Sequence, residues 1–198
     1  MSLAVAILAG GKSKRMGCDK TLLEIDGIPI LKRIIDVAEG LSQECLIISN
    51  TPHKHDSFGW PILSDSYGNT GPLGGLNTAL KSINSERLLL LACDMPYMRY
   101  DFLNYITTIY TKKDAVVPFD HLPQPLCSVY KTTLISTIDS LIKKQRLSMR
   151  YFLKQIDFLQ VLPDQWSHLK ADKKLFANIN TPEDYATIND DSRTLPPN

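Results

Sequence analysis

The sequence lacks most of the features that assign a protein to a class at first sight. Its four cysteines form no C-x-x-C pair and have no zinc-like spacing, and no segment approaches the ~20 apolar residues that span a membrane. The formal net charge is only +1, whereas proteins that bind nucleic acids or membrane surfaces usually carry a basic excess. No basic residues precede the apolar N-terminal stretch, which argues against a signal peptide. We therefore expect a cytoplasmic protein that binds neither nucleic acid nor membranes.

Two common phosphate-binding fingerprints are also missing, although the chain has a glycine-rich segment near its start. Gly10 and Gly11 are adjacent and the next glycine is Gly17, so the dinucleotide motif G-x-G-x-x-G is absent. Lys20 follows an aspartate and not a glycine, which excludes the P-loop G-x-x-x-x-G-K-[ST]. The glycines and cations of this segment need a different explanation.

The run L-A-G-G-K-S-K-R-M-G-C-D-K, which ends at Lys20, is the most informative part of the chain. Gly10 and Gly11 follow an apolar stretch and let backbone N–H groups approach an anion with no Cβ in the way. We expect Arg15 to bind a polyphosphate through its planar guanidinium and Lys20 to bind it as a point charge. The two lysines between Gly11 and Arg15 are equally consistent with solvated surface charges.

Short apolar runs alternate with helical patterns along the chain. A run such as Leu3–Leu8 is typical of a strand covered on both faces, and a proline such as Pro29 can open a helix. This alternation predicts a three-layer α/β, Rossmann-like fold, with a mainly parallel twisted sheet and helices on both faces. We expect a single domain over residues 1–188 and a disordered polar tail over residues 189–198. The other predicted strands are Leu22–Ile25, Cys45–Ile48, Leu88–Ala92, Ala115–Pro118, Leu126–Tyr130 and Phe158–Leu162, and the other predicted helices begin at Pro72, near Leu134 and at Pro182.

Four polar loops are predicted to meet at one edge of this sheet. Ligands of open α/β sheets bind beyond the carboxyl ends of the strands. The first strand runs into Gly10, and the second polar loop carries Ser49 and Asn50. The third loop carries Asp65, and the fourth carries Asp94. The sequence therefore predicts one site at this edge.

Together these motifs resemble the molybdenum cofactor guanylyltransferases. The glycine run, G-P-L-G-G, C-D-M-P, Q-P-L and N-x-N-T-P-E-D occur in the order of that family and span residues 3–188. The resemblance implies a nucleotidyltransferase fold and the transfer of GMP from GTP to the terminal phosphate of molybdopterin, with release of pyrophosphate and a requirement for Mg²⁺. It implies GTP and molybdopterin as partners, with proteins that donate the cofactor or receive the product, and we expect a monomer.

The resemblance also assigns roles to individual residues. It implies that the nucleotide contacts the glycine run, the loop of Asp65 and an asparagine that aligns with Ser49 or Asn50, and that the pterin lies beside the N-x-N segment. Arg15, Lys20 and Asp94 are the predicted catalytic residues. The predicted nucleotide-binding residues are Leu8, Ala9, Gly10, Gly11, Lys20, Ser49, Asn50, Asp65 and Asp94, and the predicted pterin-side residues are Asn178 and Asn180.

Asp94 is the predicted metal ligand. Mg²⁺ commonly takes one or two carboxylates and fills its other positions with water and substrate phosphates, so one well-placed aspartate can hold it. An aspartate at this point could instead cap a turn. Asp65 lies in a Ser-Asp-Ser loop, where an Asx-turn is the alternative. His53 and His55 lie in a polar loop, and we expect both to face solvent without a role in the site.

Three other functions fit parts of the sequence. Cytidylyl transfer to the same cofactor is the nearest, but such enzymes generally carry L-A-A-G where this chain has L-A-G-G. Sugar-phosphate nucleotidyltransferases have a related glycine loop, yet the C-D-M-P and N-T-P-E-D segments fit them less well. A GTP-binding carrier that delivers the cofactor without chemistry would differ from all of these because it would never release pyrophosphate.

Overall fold

A computed structural model describes residues 2–10, 19–68, 70–171 and 174–193, with side chains described as far as Ile188. The strands are β1 (Leu3–Leu8), β2 (Glu24–Ile25), β3 (Ile28–Pro29), β4 (Glu44–Ile48), β5 (Ile62–Leu63), β6 (Arg87–Ala92), β7 (Ala115–Asp120), β8 (Leu122–Pro123), β9 (Cys127–Lys131) and β10 (Phe158–Val161). The α-helices are α1 (Ile30–Ala38), α2 (Pro72–Ser82), α3 (Tyr100–Thr108), α4 (Ile135–Lys143), α5 (Met149–Leu153) and α6 (Pro182–Arg193). Short 3₁₀ helices lie at Lys20–Leu22, Pro52–Lys54, Asp56–Phe58, Thr132–Leu134 and Pro163–Leu169.

The main sheet of this α/β fold has the strand order β10-β7-β9-β6-β1-β4-β5. Pairs β1–β4, β1–β6, β4–β5 and β7–β10 are parallel, whereas β9 is antiparallel to both of its neighbours. Strand β8 pairs with β7, and β2 and β3 form a separate hairpin. The predicted mainly parallel sheet is therefore confirmed.

The core forms two layers because side chains of a strand alternate between its faces. In β1, Val5 and Ile7 pack with α1 and α3 on one side of the sheet. Ala4 and Ala6 pack with α2, α4 and α5 on the other side. All four side chains are fully buried. This arrangement confirms the predicted three layers.

Two segments differ from the sequence-based expectation. Residues 20–22 form a 3₁₀ helix, so only Glu24–Ile25 remains of the strand predicted there. Helix α6 continues to Arg193, so residues 189–193 are helical, and the prediction of a disordered tail is wrong for them. Residues 194–198 lie outside the described part of the chain.

Within the described ranges, no helix is both long enough and apolar enough to cross a membrane. The cytoplasmic location stays a prediction.

Candidate active site

The carboxyl ends of the central strands meet at one edge of the sheet. Leu8 at the end of β1 stands opposite Ile48 of β4 and Ala92 of β6 in the strand register. Backbone bonds continue past the strand ends: Ala9 N donates to Ile48 O at 2.9 Å, and Cys93 N donates to Leu8 O at 3.3 Å. The loops that follow these strands are thereby held side by side, as the sequence predicts.

Lys20 and Asp94 form an ion pair at this edge. The distance from Lys20 Nζ to Asp94 Oδ2 is 2.7 Å, and the two side chains are only 18% and 16% exposed. The other carboxylate oxygen, Asp94 Oδ1, is buried and has no hydrogen-bond partner among the described residues. Buried carboxylate oxygens are normally paired, because an unsatisfied one carries a desolvation penalty of about 1–3 kcal/mol or more. The geometry thus leaves one aspartate oxygen available for a cation.

The residues fit a magnesium ion in this position. Hard carboxylate oxygen is the ligand type that Mg²⁺ prefers. The described ranges contain no cluster of three or more His, Cys, Asp or Glu side chains that could hold a metal by themselves. An ion at Asp94 Oδ1 would therefore take its other ligands from substrate phosphates and water, which is the usual arrangement for Mg²⁺ in phosphate chemistry.

The segment from Asn178 to Asn180 lies against the backbone of Asp94. Ile179 N donates to Asp94 O at 2.9 Å. Ile179 is fully buried, while Asn178 and Asn180 on either side of it are exposed. Burial of an isoleucine side chain contributes roughly 1.5–3 kcal/mol, which helps to fix this segment. The structure therefore brings both predicted pterin-side residues next to the predicted metal ligand.

A capped helix start holds this segment from the other end. Thr181 N donates to Asp184 Oδ2 at 2.9 Å, and Asp184 N donates to Thr181 Oγ1 at 3.1 Å. Backbone hydrogen bonds from Asn180 and Thr181 lower the pKa of Asp184. Reciprocal bonds of this kind satisfy the free N–H groups of a helix start. The predicted start of α6 at Thr181 and Pro182 is confirmed.

Asp65 organises the loop after β5. Its Oδ1 accepts a hydrogen bond from Tyr67 N at 2.9 Å, which is the Asx-turn that the sequence left open. The same carboxylate accepts hydrogen bonds from Thr70 Oγ1 at 3.4 Å and Thr78 Oγ1 at 3.3 Å. Asp65 N donates to Asn50 Oδ1 at 3.1 Å, so this loop is tied to the loop after β4.

Two glycines of α2 allow this loop and β1 to approach the helix closely. A Cβ at Gly74 would lie 1.8 Å from Thr70 Oγ1 and 2.9 Å from Asp65 Oδ2. A Cβ at Gly75 would lie 2.8 Å from Leu8 Cδ2. At Gly74 these distances leave no room for a Cβ, whereas at Gly75 only the end of the flexible Leu8 side chain would have to move. Gly74 and Gly75 therefore serve close packing of the loops that form the site.

The sequence and the fold of this chain are similar to those of known proteins. A model of the MobA-like NTP transferase domain matches residues 5–160. A probable molybdenum cofactor guanylyltransferase from Clostridium perfringens is 35% identical over 196 residues, which cover 93% of this chain and 95% of the relative. The molybdenum cofactor guanylyltransferase of Syntrophotalea carbinolica is 31% identical over 185 residues, 92% of this chain and 88% of the relative. This chain belongs to the molybdenum cofactor guanylyltransferase family.

Solved structures confirm the nucleotidyltransferase fold of this guanylyltransferase family member. The molybdopterin-guanine dinucleotide biosynthesis protein A of Archaeoglobus fulgidus superposes with a TM-score of 0.82 at 19% identity, covering 97% of this chain and all of that one. A cytidylyltransferase from Leptospira borgpetersenii superposes with a TM-score of 0.75 at 15% identity, covering 99% of this chain and 89% of that one. At these identities the likeness concerns the fold alone, and the fold is common to both types of transferase.

The guanylyltransferase loop after β4 differs from expectation at two residues. Ser49 is 1% exposed, and its Oγ accepts a hydrogen bond from Thr51 N at 3.1 Å and lies 3.0 Å from His55 Nδ1. His55 is fully buried, so the prediction that it faces solvent is wrong, whereas His53 is exposed as predicted. Burial lowers the pKa of His55 and favours the neutral imidazole. The sequence did not reveal the burial of His55, because Thr21, one of its two hydrogen-bond partners, lies 34 positions away.

The start of the glycine run is only partly described. Leu8 and Ala9 are buried, at 8% and 3% exposure, and both pack in the core. Gly10 is exposed, and a Cβ there would meet only ordinary contacts at 3.9 Å or more. Gly11 and Arg15 lie outside the described residues, and their roles stay predictions.

Proposed function

We propose that this chain transfers GMP from GTP to the terminal phosphate of molybdopterin, releases pyrophosphate and uses Mg²⁺. The observation that carries the proposal is the Lys20–Asp94 pair, which lies at the common edge of β1, β4 and β6 with Asp94 Oδ1 unpaired among the described residues. Membership of the guanylyltransferase family supports the choice of substrates. GTP and molybdopterin are accordingly the proposed binding partners.

The electrostatics of the site suit an in-line nucleotidyl transfer. The attacking molybdopterin phosphate is already an anion, so no general base is needed. Lys20 offsets the charge that develops on the α-phosphate and on the departing pyrophosphate. Asp94 would hold Mg²⁺, which when bound withdraws charge from the phosphate and orients it. Positioning and charge neutralisation are the main protein contributions in phosphoryl chemistry, and the residues here supply both.

Asn50 is the residue we propose to contact the guanine. The hydroxyl of Ser49 is buried and engaged with His55 and the backbone, which leaves it unavailable to a ligand. Asn50 is exposed, and its Oδ1 is occupied by Asp65 N, so its Nδ2 donors remain for the base. Asp65 supports this arrangement through the same bond, and its contact with the nucleotide rests on the family resemblance. The exposed Asn178 and Asn180 are the proposed contacts for the pterin.

Product analysis tests the proposal directly. The protein is incubated with molybdopterin, Mg²⁺ and each nucleoside triphosphate in turn, and the products are identified by mass spectrometry. We expect the guanine dinucleotide of the cofactor with GTP, together with stoichiometric pyrophosphate. If the protein preferred CTP, the reaction assigned to it would be cytidylyl transfer and not guanylyl transfer. Binding of GTP without any pyrophosphate release would show a carrier and contradict the proposed enzyme.

An Asp94→Asn variant tests the metal ligand. Loss of one carboxylate charge removes several kcal/mol of metal-assisted stabilisation, so we expect kcat to fall by at least about 100-fold while GTP binding persists. The matched control is Asp36→Asn on α1, because Asp36 pairs with Lys32 and both side chains are 46% exposed. Unchanged turnover of the Asp94 variant would remove Asp94 from the mechanism.

A further inference from the structure

A buried chain of side-chain hydrogen bonds connects the end of β4 with the 3₁₀ helix that carries Lys20. Ser49 Oγ lies 3.0 Å from His55 Nδ1, His55 Nε2 lies 2.8 Å from Thr21 Oγ1, and Thr21 Oγ1 lies 2.7 Å from Asp19 Oδ1. Ser49, His55 and Thr21 are each no more than 2% exposed. Nothing in the function proposed above uses this chain, and its polar groups are costly to bury unless each of them is satisfied.

The chemistry of the four groups fixes the direction of every bond. An ionised carboxylate only accepts, and hydrogen bonds from Thr21 and Lys54 lower the pKa of Asp19 against the opposing effect of its burial. The Thr21 hydroxyl therefore donates to Asp19, and its oxygen accepts from His55 Nε2–H. His55 Nδ1 is then an acceptor for the Ser49 hydroxyl. A neutral imidazole with its proton on Nε2 satisfies the whole chain.

These bonds anchor the residues on both sides of Lys20. Asp19 Oδ1 accepts from Thr21 N at 3.2 Å and caps the 3₁₀ helix, while Lys54 Nζ lies 3.3 Å from Asp19 Oδ2. Thr21 is held by His55 from the loop after β4. The backbone of Lys20 is thus fixed between two anchored neighbours. Its side chain extends toward Asp94, and Lys20 Nζ donates to Asp94 Oδ2 at 2.7 Å.

We propose that His55 is a positioning residue that fixes the Lys20 backbone against the end of β4, so that Lys20 Nζ reaches Asp94 and the triphosphate of the nucleotide. The inference deepens the proposed function and rests on it for the identity of the substrate. A histidine that merely filled space in the loop would need neither Ser49 nor Thr21 as a hydrogen-bond partner. The hydrogen bonds distinguish the two interpretations, because a leucine could fill the volume but could not hold Thr21.

A double-mutant cycle on kcat/KM for GTP measures the coupling. Displacement of a catalytic group by about 1 Å can cost on the order of 100-fold in rate, so we expect His55→Leu to lower kcat/KM by about 10- to 100-fold, mainly through kcat. In a Lys20→Ala background the same change should matter by less than about threefold, because the group being positioned is gone. The matched control is His53→Leu, an exposed histidine two residues away, which should leave kcat/KM unchanged. Equal effects of His55→Leu in both backgrounds would overturn the proposal.

Nitrogen NMR of the histidine rings in the unmodified protein provides a second test that needs no turnover. We expect His55 to show a neutral ring with the proton on Nε2 at pH 7. The charged groups around His55 are Asp19, Lys54, Asp56 and His53. A His55 proton on Nδ1, or a charged ring at pH 7, would overturn the proposal even if His55→Leu failed to fold. If the NMR result is as expected but GTP gives no product, the proposed function fails and the hydrogen-bond chain stands.

Discussion

Replacement of Gly74 by alanine tests how the Asp65 loop is packed on α2. The new Cβ would lie 1.8 Å from Thr70 Oγ1 and 2.9 Å from Thr70 Cβ. Because two atoms of Thr70 are too close, a rotation of its side chain is insufficient and the loop itself must move. Overpacking of this kind costs about 1–3 kcal/mol, and the lost bond from Thr70 to Asp65 adds about 0.5–1.5 kcal/mol. The higher helix propensity of alanine offsets at most about 1 kcal/mol of this loss in stability.

The expected net loss for Gly74→Ala is therefore about 1–3 kcal/mol, which lowers the Tm of a chain of this size by about 2–12 °C. Gly75→Ala on the same helix is the matched control. Its Cβ would meet the end of the flexible Leu8 side chain at 2.8 Å and Ile48 Cγ2 at an ordinary 3.6 Å. We expect a change in Tm within about 2 °C, since gain and loss nearly cancel. The assay is thermal unfolding by circular dichroism, with KM for GTP as a second readout. If Gly74→Ala melted as high as Gly75→Ala, the packing of Thr70 and Asp65 against α2 would be refuted.

Two further predictions concern the titrating groups Asp139 and His55. Hydrogen bonds from Lys81 and Asn77 lower the pKa of Asp139 to about 2, so its contribution is present above the ordinary aspartate pKa and is lost as the pH falls from about 4 toward 2. Asp139→Asn should therefore lower the free energy of unfolding, measured in urea, by about 1 kcal/mol at pH 7. This difference between wild type and variant should vanish near pH 2. A difference that stayed constant with pH would contradict the assignment. The pKa of His55 is lowered by burial, so its neutral form stabilises the fold above about pH 6.5, and this contribution is lost as the pH falls further. Urea unfolding between pH 7 and pH 5 should show a steeper loss in the wild type than in His55→Gln, and parallel curves would contradict it.

The sequence predicts the sheet and the position of the site well because both depend on local patterns. Continuous apolar runs mark β1, β4 and β6, and parallel strands necessarily bring their carboxyl ends to one edge. Helix α3 was missed because Tyr100–Thr108 has no proline or polar N-cap at its start: Arg99 precedes it without a side-chain cap. The antiparallel direction of β9 was missed as well, since an apolar run looks the same in either direction.

The pairing of particular side chains depends on contacts that no local pattern contains. Lys20 and Asp94 are 74 positions apart, and Thr21 and His55 are 34 apart, so their distances follow only once the sheet has brought the loops together. A lysine after a glycine run and an aspartate after a buried strand still carry a usable signal, because each lies at a strand end. His55 carries none: in sequence it stands in a polar loop beside a second histidine that is exposed. Its burial follows from the 3₁₀ turns that fold this loop back over Thr21, where both ring nitrogens of His55 have hydrogen-bond partners. The contacts that place His55 beside the neighbours of Lys20, the proposed catalytic lysine, are therefore visible only in the folded structure.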